Sequence, residues 1–271
     1  MAIITISRGS YSKGREVAEK VAARLGYRVV SRDVLLDASG RFGAPKIKLA
    51  SAIHDAPSIL DRFTHGKQCY LAYIRSALAD QAQDDNLVYH GLAGHLLLND
   101  LPHLLKVRII ADLDARVAAE MEREHITASE AQRRLLADDH ERRKWTQALF
   151  GQDPWDVSLY DLVIHIHKVT VDEAVEYIAQ AAGLPSFATT EEAQRKINDL
   201  ALACRVKATL VKEDCFDLGV TCEFGNVVVY TSKGNRQQHD LEQKVRNLSK
   251  TMPGINHMEV HSDMIIPEKA I

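Results

Sequence analysis

The stretch Ile3-Ile4-Thr5-Ile6-Ser7-Arg8-Gly9-Ser10-Tyr11-Ser12-Lys13-Gly14-Arg15-Glu16-Val17-Ala18 decides how this chain folds. Its first four residues are apolar or β-branched, the composition of a strand buried in a sheet. From Val17 onward the apolar positions move to a spacing of four, Val17, Val21 and Leu25, which makes one stripe on a helix. Between these two periods lies a loop flanked by Gly9 and Gly14. In a strand, loop, helix unit of this kind, backbone N–H groups of the loop and of the helix start converge on one point. An anion there gains up to ~2 kcal/mol from the helix dipole alone. Gly9, Ser10, Tyr11, Ser12, Lys13, Gly14, Arg15 and Glu16 are therefore candidate phosphate ligands; an ordinary glycine-containing strand-to-helix turn is the plainer reading.

Set against the phosphate-loop pattern G-x-x-x-x-G-K-[ST], both glycines are in place, Arg15 stands where Lys is usual, and Glu16 replaces the magnesium-binding hydroxyl. Arg15 can neutralise phosphate through its forked guanidinium. Glu16 could reach magnesium directly or through water.

Outward from this unit, short β-branched runs alternate with helical stretches up to about residue 182, the pattern of crossover helices covering a parallel sheet. The expected strands are Ile3 to Ile6, Arg28 to Val30, Leu87 to Tyr89, Val107 to Ile110 and Leu162 to Ile164. Tyr70, Ile74 and Leu78 form a second stripe expected to face that sheet. Thr127-x-x-Glu130, Thr170-x-x-Glu173 and Thr189-x-x-Glu192 have capping-box spacing and should each open a helix. The third follows Gly183-Leu184-Pro185-Ser186, the expected linker. Beyond it the rhythm becomes that of a small α+β unit. A helix is followed by strands over Val206 to Val211, Gly219 to Phe224 and Asn226 to Thr231, a helix through Leu241, Val245 and Leu248, and a last strand from Ile255 to Val260. Phe224-Gly225-Asn226 reads as a hairpin turn in which Gly and Asn take positive φ.

Composition narrows the function classes. The chain has 271 residues, 46% of them hydrophobic, which suffices for a core and most simply for two domains. Lys and Arg number 34 against 37 Asp and Glu, so no chain-wide positive field favours nucleic acid. No apolar run approaches the roughly 18–20 residues of a membrane span, and a soluble, cytoplasmic protein is expected. The cysteines, Cys69, Cys204, Cys215 and Cys222, form no Cys-x-x-Cys pair and fit reduced, buried thiols. No metal ligands are assigned to them, nor to His90, His95, His165 or His167.

Ile4 to Gly9, Gly14-Arg15-Glu16-Val17-Ala18, Leu25-Gly26-Tyr27 and Ser31-Arg32-Asp33 resemble the cytidylate kinase-like family, a branch of the P-loop nucleoside monophosphate kinases. The resemblance extends over about residues 2–182 through Leu87 to Gly91, Ala111-Asp112-Leu113-Asp114-x-Arg116, Asp139-x-x-Arg142 and Tyr160 to Ile164. It implies a P-loop kinase parallel sheet with flanking helices in residues 1–184, an acceptor insertion at about 35–85 and an arginine-bearing lid at about 120–150. It also implies phosphoryl transfer from ATP, with Mg2+, to a nucleoside monophosphate, CMP or dCMP being favoured. By the same resemblance Arg133, Arg134 and Arg142 are expected to clamp phosphate and Asp139 to orient Arg142. Arg15 joins them in the reaction, and Asp33, Arg75 and Gly91 are expected at the acceptor. Where relatives place an arginine after the third strand's glycine, this chain has Leu92; Arg62, Lys67 or Arg75 could supply that charge. Phosphoryl transfer needs positioning and positive charge far more than covalent help, which suits an arginine-rich lid.

Residues 190–264 resemble a BON domain, through Ile197-Asn198-Asp199-Leu200, Cys222 to Val229 and Pro253 to Val260. That implies a non-catalytic module that contacts a protein, a ligand or a lipid surface. The competing expectation is a nucleotide-binding regulatory protein that binds ATP without transfer and signals through this module. The oligomeric state stays open, a homo-oligomer included.

Overall fold

The computed structural model describes residues 2–10, 12–31, 65–99, 101–232, 235–262, 265–267 and 269–271. Tyr11, Asp33, Arg62 and most of the expected acceptor insertion lie outside the described residues. The described chain forms two compact units, one from the N-terminal residues to 31 with 84–189, the other from 65–83 with 190–271.

In the first unit, β1 (Ile3–Arg8), β2 (Arg28–Ser31), β3 (Leu87–His90), β4 (Leu104–Ala111) and β5 (Leu162–Ile166) form one sheet in the order β2-β3-β1-β4-β5. Every pairing is parallel. Parallel neighbours require crossovers, and the helices serving them bury the sheet, which is why its strands read as nearly continuous apolar runs. One face is packed by α1 (Gly14–Leu25) and by the helix Val171–Ala182. The register sets Ile4 beside Leu105 and Ile6 beside Val107, and these four meet Val17, Val21, Val175 and Ile178 in one core. Each such side chain contributes about 1.5–3 kcal/mol when fully buried. The alternate residues, Thr5, Ser7, Lys106 and Arg108, point to the other face. A short helix, Gly94–Leu97, packs against β1, and Gly94 makes room for Tyr89: a Cβ at 94 would fall 2.3 Å from the tyrosine ring. Strand order reverses at central β1, so the C-terminal end of β1 is the place where open parallel sheets bind ligands.

The second unit holds the helices Gly66–Ala82 and Glu191–Lys212, the hairpin β6 (Leu218–Glu223) and β7 (Asn226–Thr231), the helix Asn235–Thr251 and β8 (His257–Ser262). β6 and β7 are antiparallel, and β8 joins β7 in parallel. The helix Gly66–Ala82, which carries the Tyr70 stripe expected to face the parallel sheet, belongs to this unit and packs on Glu191–Lys212 through Ala72 and Tyr73 against Ala208 and Val211.

Three further sequence expectations need correction. Val206 to Val211 is no strand: it is the end of the helix Glu191–Lys212, where Leu202, Val206 and Leu210 repeat every four residues and face the hairpin core. A short apolar run is ambiguous in period until its packing partner is known. The helix cap is Thr190, whose hydroxyl accepts the Ala193 N–H at 3.1 Å; Thr189 instead donates to buried Asp85. The hairpin stands at its expected place, but Phe224 and Gly225 carry the positive φ values, 53° and 74°, and Asn226 already belongs to β7. Among the described residues, no helix is long and apolar enough to cross a membrane, and all four cysteines are free thiols.

Candidate functional site

The loop after β1 builds a site from residues far apart in sequence. Lys13 takes the left-handed conformation, φ 60°, and its carbonyl accepts the first helical bond, from Val17. The Ser12 hydroxyl is tied to the carbonyls of Gly9, at 3.0 Å, and Ile109, at 3.1 Å, which anchors the loop to β4. Gly14 is required by close approach, since a Cβ there would lie 2.6 Å from the Arg8 Cβ. Ser10 is 1% exposed, and its hydroxyl has no hydrogen-bond partner among the described residues.

Two further side chains reach this loop. Arg116, on the helix Leu113–Glu124 that follows β4, donates through Nε to the Ser10 carbonyl at 2.7 Å and through Nη2 to Asp139 at 2.7 Å. Asp139, on the long helix Ala128–Phe150, accepts the Ser10 backbone N–H at 2.9 Å. The side chains of this ion pair are only 11% and 14% exposed. A Cβ on Gly9 would lie 3.7 Å from Asp139 and 3.8 Å from Arg116, so the glycine's open side faces the pair.

The other expected site residues fall as follows. Arg15 pairs with Glu19 at 2.8 Å, one turn along its own helix, and its side chain is 71% exposed. Glu16 is paired with Lys20 at 3.3 Å. Arg133 and Arg134 both bond Glu130, at 2.8 and 2.9 Å, and hold its carboxyl below the usual range. The bonds of Asp139 run to Ser10 and Arg116, whereas the Arg142 charge acts on neighbouring Asp138. Arg75 stands in the second unit, where its charge acts on Cys204 and Lys207. Gly91 lets the turn pass Tyr89, whose hydroxyl would lie 2.3 Å from a Cβ and donates to the Leu92 carbonyl at 3.3 Å.

Sequence reasoning did not select Arg116 as a ligand, although it quoted the helix start that carries it. It also missed a polar cluster on the second sheet face. Arg108, 9% exposed, donates to the Pro154 carbonyl and to the Tyr160 hydroxyl, and its guanidinium carbon lies 5.6 Å from the Tyr160 ring centre. Tyr160 reaches Ser7 at 3.3 Å, and buried His95 lies 4.6 Å from the tyrosine ring, centre to centre. Burial, aided by the Lys106 and Arg108 charges, pushes the His95 imidazole down to about 3, so it is neutral at physiological pH. An arginine inside an apolar strand run was the available signal. Arg143 doubly engages Asp153 and lies over Trp155 at 4.4 Å, fixing the turn beyond the long helix. His165 and His167 approach Asp112 from either side, at 3.0 and 2.5 Å.

The sequence profile of the cytidylate kinase-like family matches residues 3–168, more than half of the chain and the whole of the site just described. The chain belongs to the cytidylate kinase-like family. It is similar to a cytidylate kinase of Methanopyrus kandleri, 29% identical over an alignment of 110 residues that covers 38% of this chain. The match spans 57% of that relative's length. Among solved structures, an uncharacterized protein from Eubacterium ventriosum is similar with a TM-score of 0.53 and 22% identity, over 67% of this chain and 98% of the other. That likeness extends to the fold. Membership of this family and the five-stranded parallel sheet make a kinase-like unit of the first part of the chain.

Proposed function

We propose that the chain transfers a phosphoryl group from ATP to a nucleoside monophosphate, CMP or dCMP, at the C-terminal end of β1. The observation carrying this reading is the loop from Gly9 to Gly14, on which a backbone N–H donor and the Arg116 guanidinium converge within a chain of the cytidylate kinase-like family. Such a site does what phosphoryl transfer asks, fixing the phosphates and placing positive charge on their oxygens. The glycines allow the backbone to approach the phosphate chain, Lys13 and Arg116 supply charge, and arginines of the helix Ala128–Phe150 stand by to complete the shell on closure.

Magnesium would shield the phosphate charge. It keeps several waters and takes only one or two protein oxygens in such sites. The buried Ser10 hydroxyl, which lacks a hydrogen-bond partner among the described residues, fits that requirement. Among the described residues no three His, Cys, Asp or Glu side chains gather to hold a metal by themselves. In the C-terminal unit, the order helix, two antiparallel strands, helix, parallel strand is what supports the BON-like reading, and the contact role follows only from that reading.

The test is ADP release from magnesium-ATP with CMP, dCMP, UMP, AMP and GMP as acceptors, on the full chain. Turnover on CMP or dCMP is expected. ATP binding without turnover on any acceptor would replace the kinase by a nucleotide-binding regulator. Arg15→Ala sharpens the assignment: a loss of tenfold or more draws Arg15 from its exposed pairing with Glu19 into the reaction, and unchanged turnover removes it.

A further inference from the structure

In the structure one backbone N–H of the loop carries an anion of the protein's own. Asp139 places one carboxylate oxygen on the Ser10 N–H at 2.9 Å and the other on Arg116 at 2.7 Å, while Arg116 also holds the Ser10 carbonyl. The partners are 129 and 23 residues from Asp139 in sequence, so neither bond is local helix geometry. The glycine's open side faces both groups, and the adjacent Ser10 hydroxyl is buried without a partner among the described residues. A carboxylate bonded to a backbone N–H and an arginine satisfies the donors a phosphate oxygen would satisfy. Left empty, a buried donor and a partly buried guanidinium would each be costly.

We propose that Asp139 is a built-in placeholder for phosphate, which an incoming nucleotide displaces, and that Arg116 is then transferred from Asp139 to the phosphate. Asp139 acts here as a positioning residue. It keeps the loop and Arg116 arranged, and it lowers apparent affinity because the competent state is only the fraction with Asp139 withdrawn. A phosphate group carries more negative charge and more acceptor oxygens than one carboxylate, so it wins the exchange once bound. The inference rests on reading the loop as a phosphate site.

The experiment is calorimetric titration of the full chain with pyrophosphate in the absence of metal, followed by magnesium-ATP. The variants are Asp139→Asn, Asp139→Ser and Arg116→Ala, each checked for folding by thermal unfolding. Metal-free pyrophosphate removes any contribution of Asp139 as a magnesium ligand, whose loss would weaken only the magnesium complex. The expected result is pyrophosphate binding at least tenfold tighter in both Asp139 variants and at least tenfold weaker in Arg116→Ala. A merely structural Asp139 would give equal or weaker binding when replaced. Unchanged or weakened affinity in folded Asp139 variants, with the unmodified chain binding pyrophosphate, overturns the placeholder and leaves the phosphate loop standing. Absence of binding of either ligand to every folded protein, the Asp139 variants included, overturns both.

Discussion

Asp139 in the first unit and Asp199 in the second make the same kind of bond with opposite consequences. Asp199 accepts the N–H groups of Phe224 at 3.0 Å and Gly225 at 2.9 Å, the two left-handed residues of the β6–β7 turn. Asn256 donates to the Phe224 carbonyl at 2.8 Å, and the Arg195 guanidinium lies 4.2 Å from the phenylalanine ring centre. A left-handed phenylalanine costs roughly 1–2 kcal/mol, and these tethers offset it. Among the described residues, no glycine-flanked loop and no arginine bonded to the same carboxylate accompany them. The Asp139 side chain, by contrast, reaches the glycine-flanked loop after β1 and pairs with a partly buried arginine. A carboxylate on backbone N–H groups marks a ligand position only when a matching cation and an open approach come with it.

The sharpest way to break this contrast is Asp199→Ala. Hydrogen bonds to a charged acceptor contribute about 1.5–3 kcal/mol each when shielded. The variant should lose about 2–3 kcal/mol of stability in the second unit, read from urea unfolding at unchanged slope. Its pyrophosphate affinity should equal that of the parent chain; a binding defect, or an unmoved urea midpoint, would erase the distinction between the two carboxylates. Next in size is Gly14→Ala. Its new Cβ meets Arg8 at 2.6 to 2.7 Å, so the backbone must shift, at a cost of about 2 kcal/mol, and pyrophosphate binding should fall at least tenfold. Wild-type affinity in that variant would show that loop geometry does not set anion binding.

Thr170→Ala removes one half of a complete capping box at the helix Val171–Ala182. It should cost about 1 kcal/mol of stability in the first unit, with binding unchanged, as a control for destabilisation without site damage. The smallest effect concerns Lys207 in the second unit, whose ammonium donates to the carbonyls of Leu218 and Ile271. Burial first, and the Arg75 charge next, push it down to about 8. The unfolded chain then binds more protons between pH 8 and the ordinary lysine range, so this group adds stability as pH rises through that window. Urea midpoints at pH 8 and pH 10 should rise less in Lys207→Met than in the parent chain; equal rises would show that burial does not lower Lys207.

Much of this was legible locally. The five strands of the parallel sheet, the helix after Gly14 and the caps at Thr127 and Thr170 follow from patterns within about ten residues, because β period, helical period and N-cap chemistry are short-range. The misreadings share a cause. Val206 to Val211 is apolar and β-branched enough for a strand, yet Leu202, Val206 and Leu210 are held in helix by a hairpin that lies later in the chain. Thr189 and Thr190 are equivalent by composition, and buried Asp85 claims the first.

By itself, then, the sequence determined a β1–loop–α1 unit, a parallel α/β part and a smaller α+β part after residue 184, since each is written in contiguous periodicity. The tertiary structure alone decided that Arg116 and Asp139 meet at Ser10, across 106 and 129 residues. It also decided that the helix Gly66–Ala82 belongs with the C-terminal unit. The physical reason is that side-chain charge pairing and helix packing depend on which surfaces the sheet topology brings together, and that topology is not encoded in any one segment.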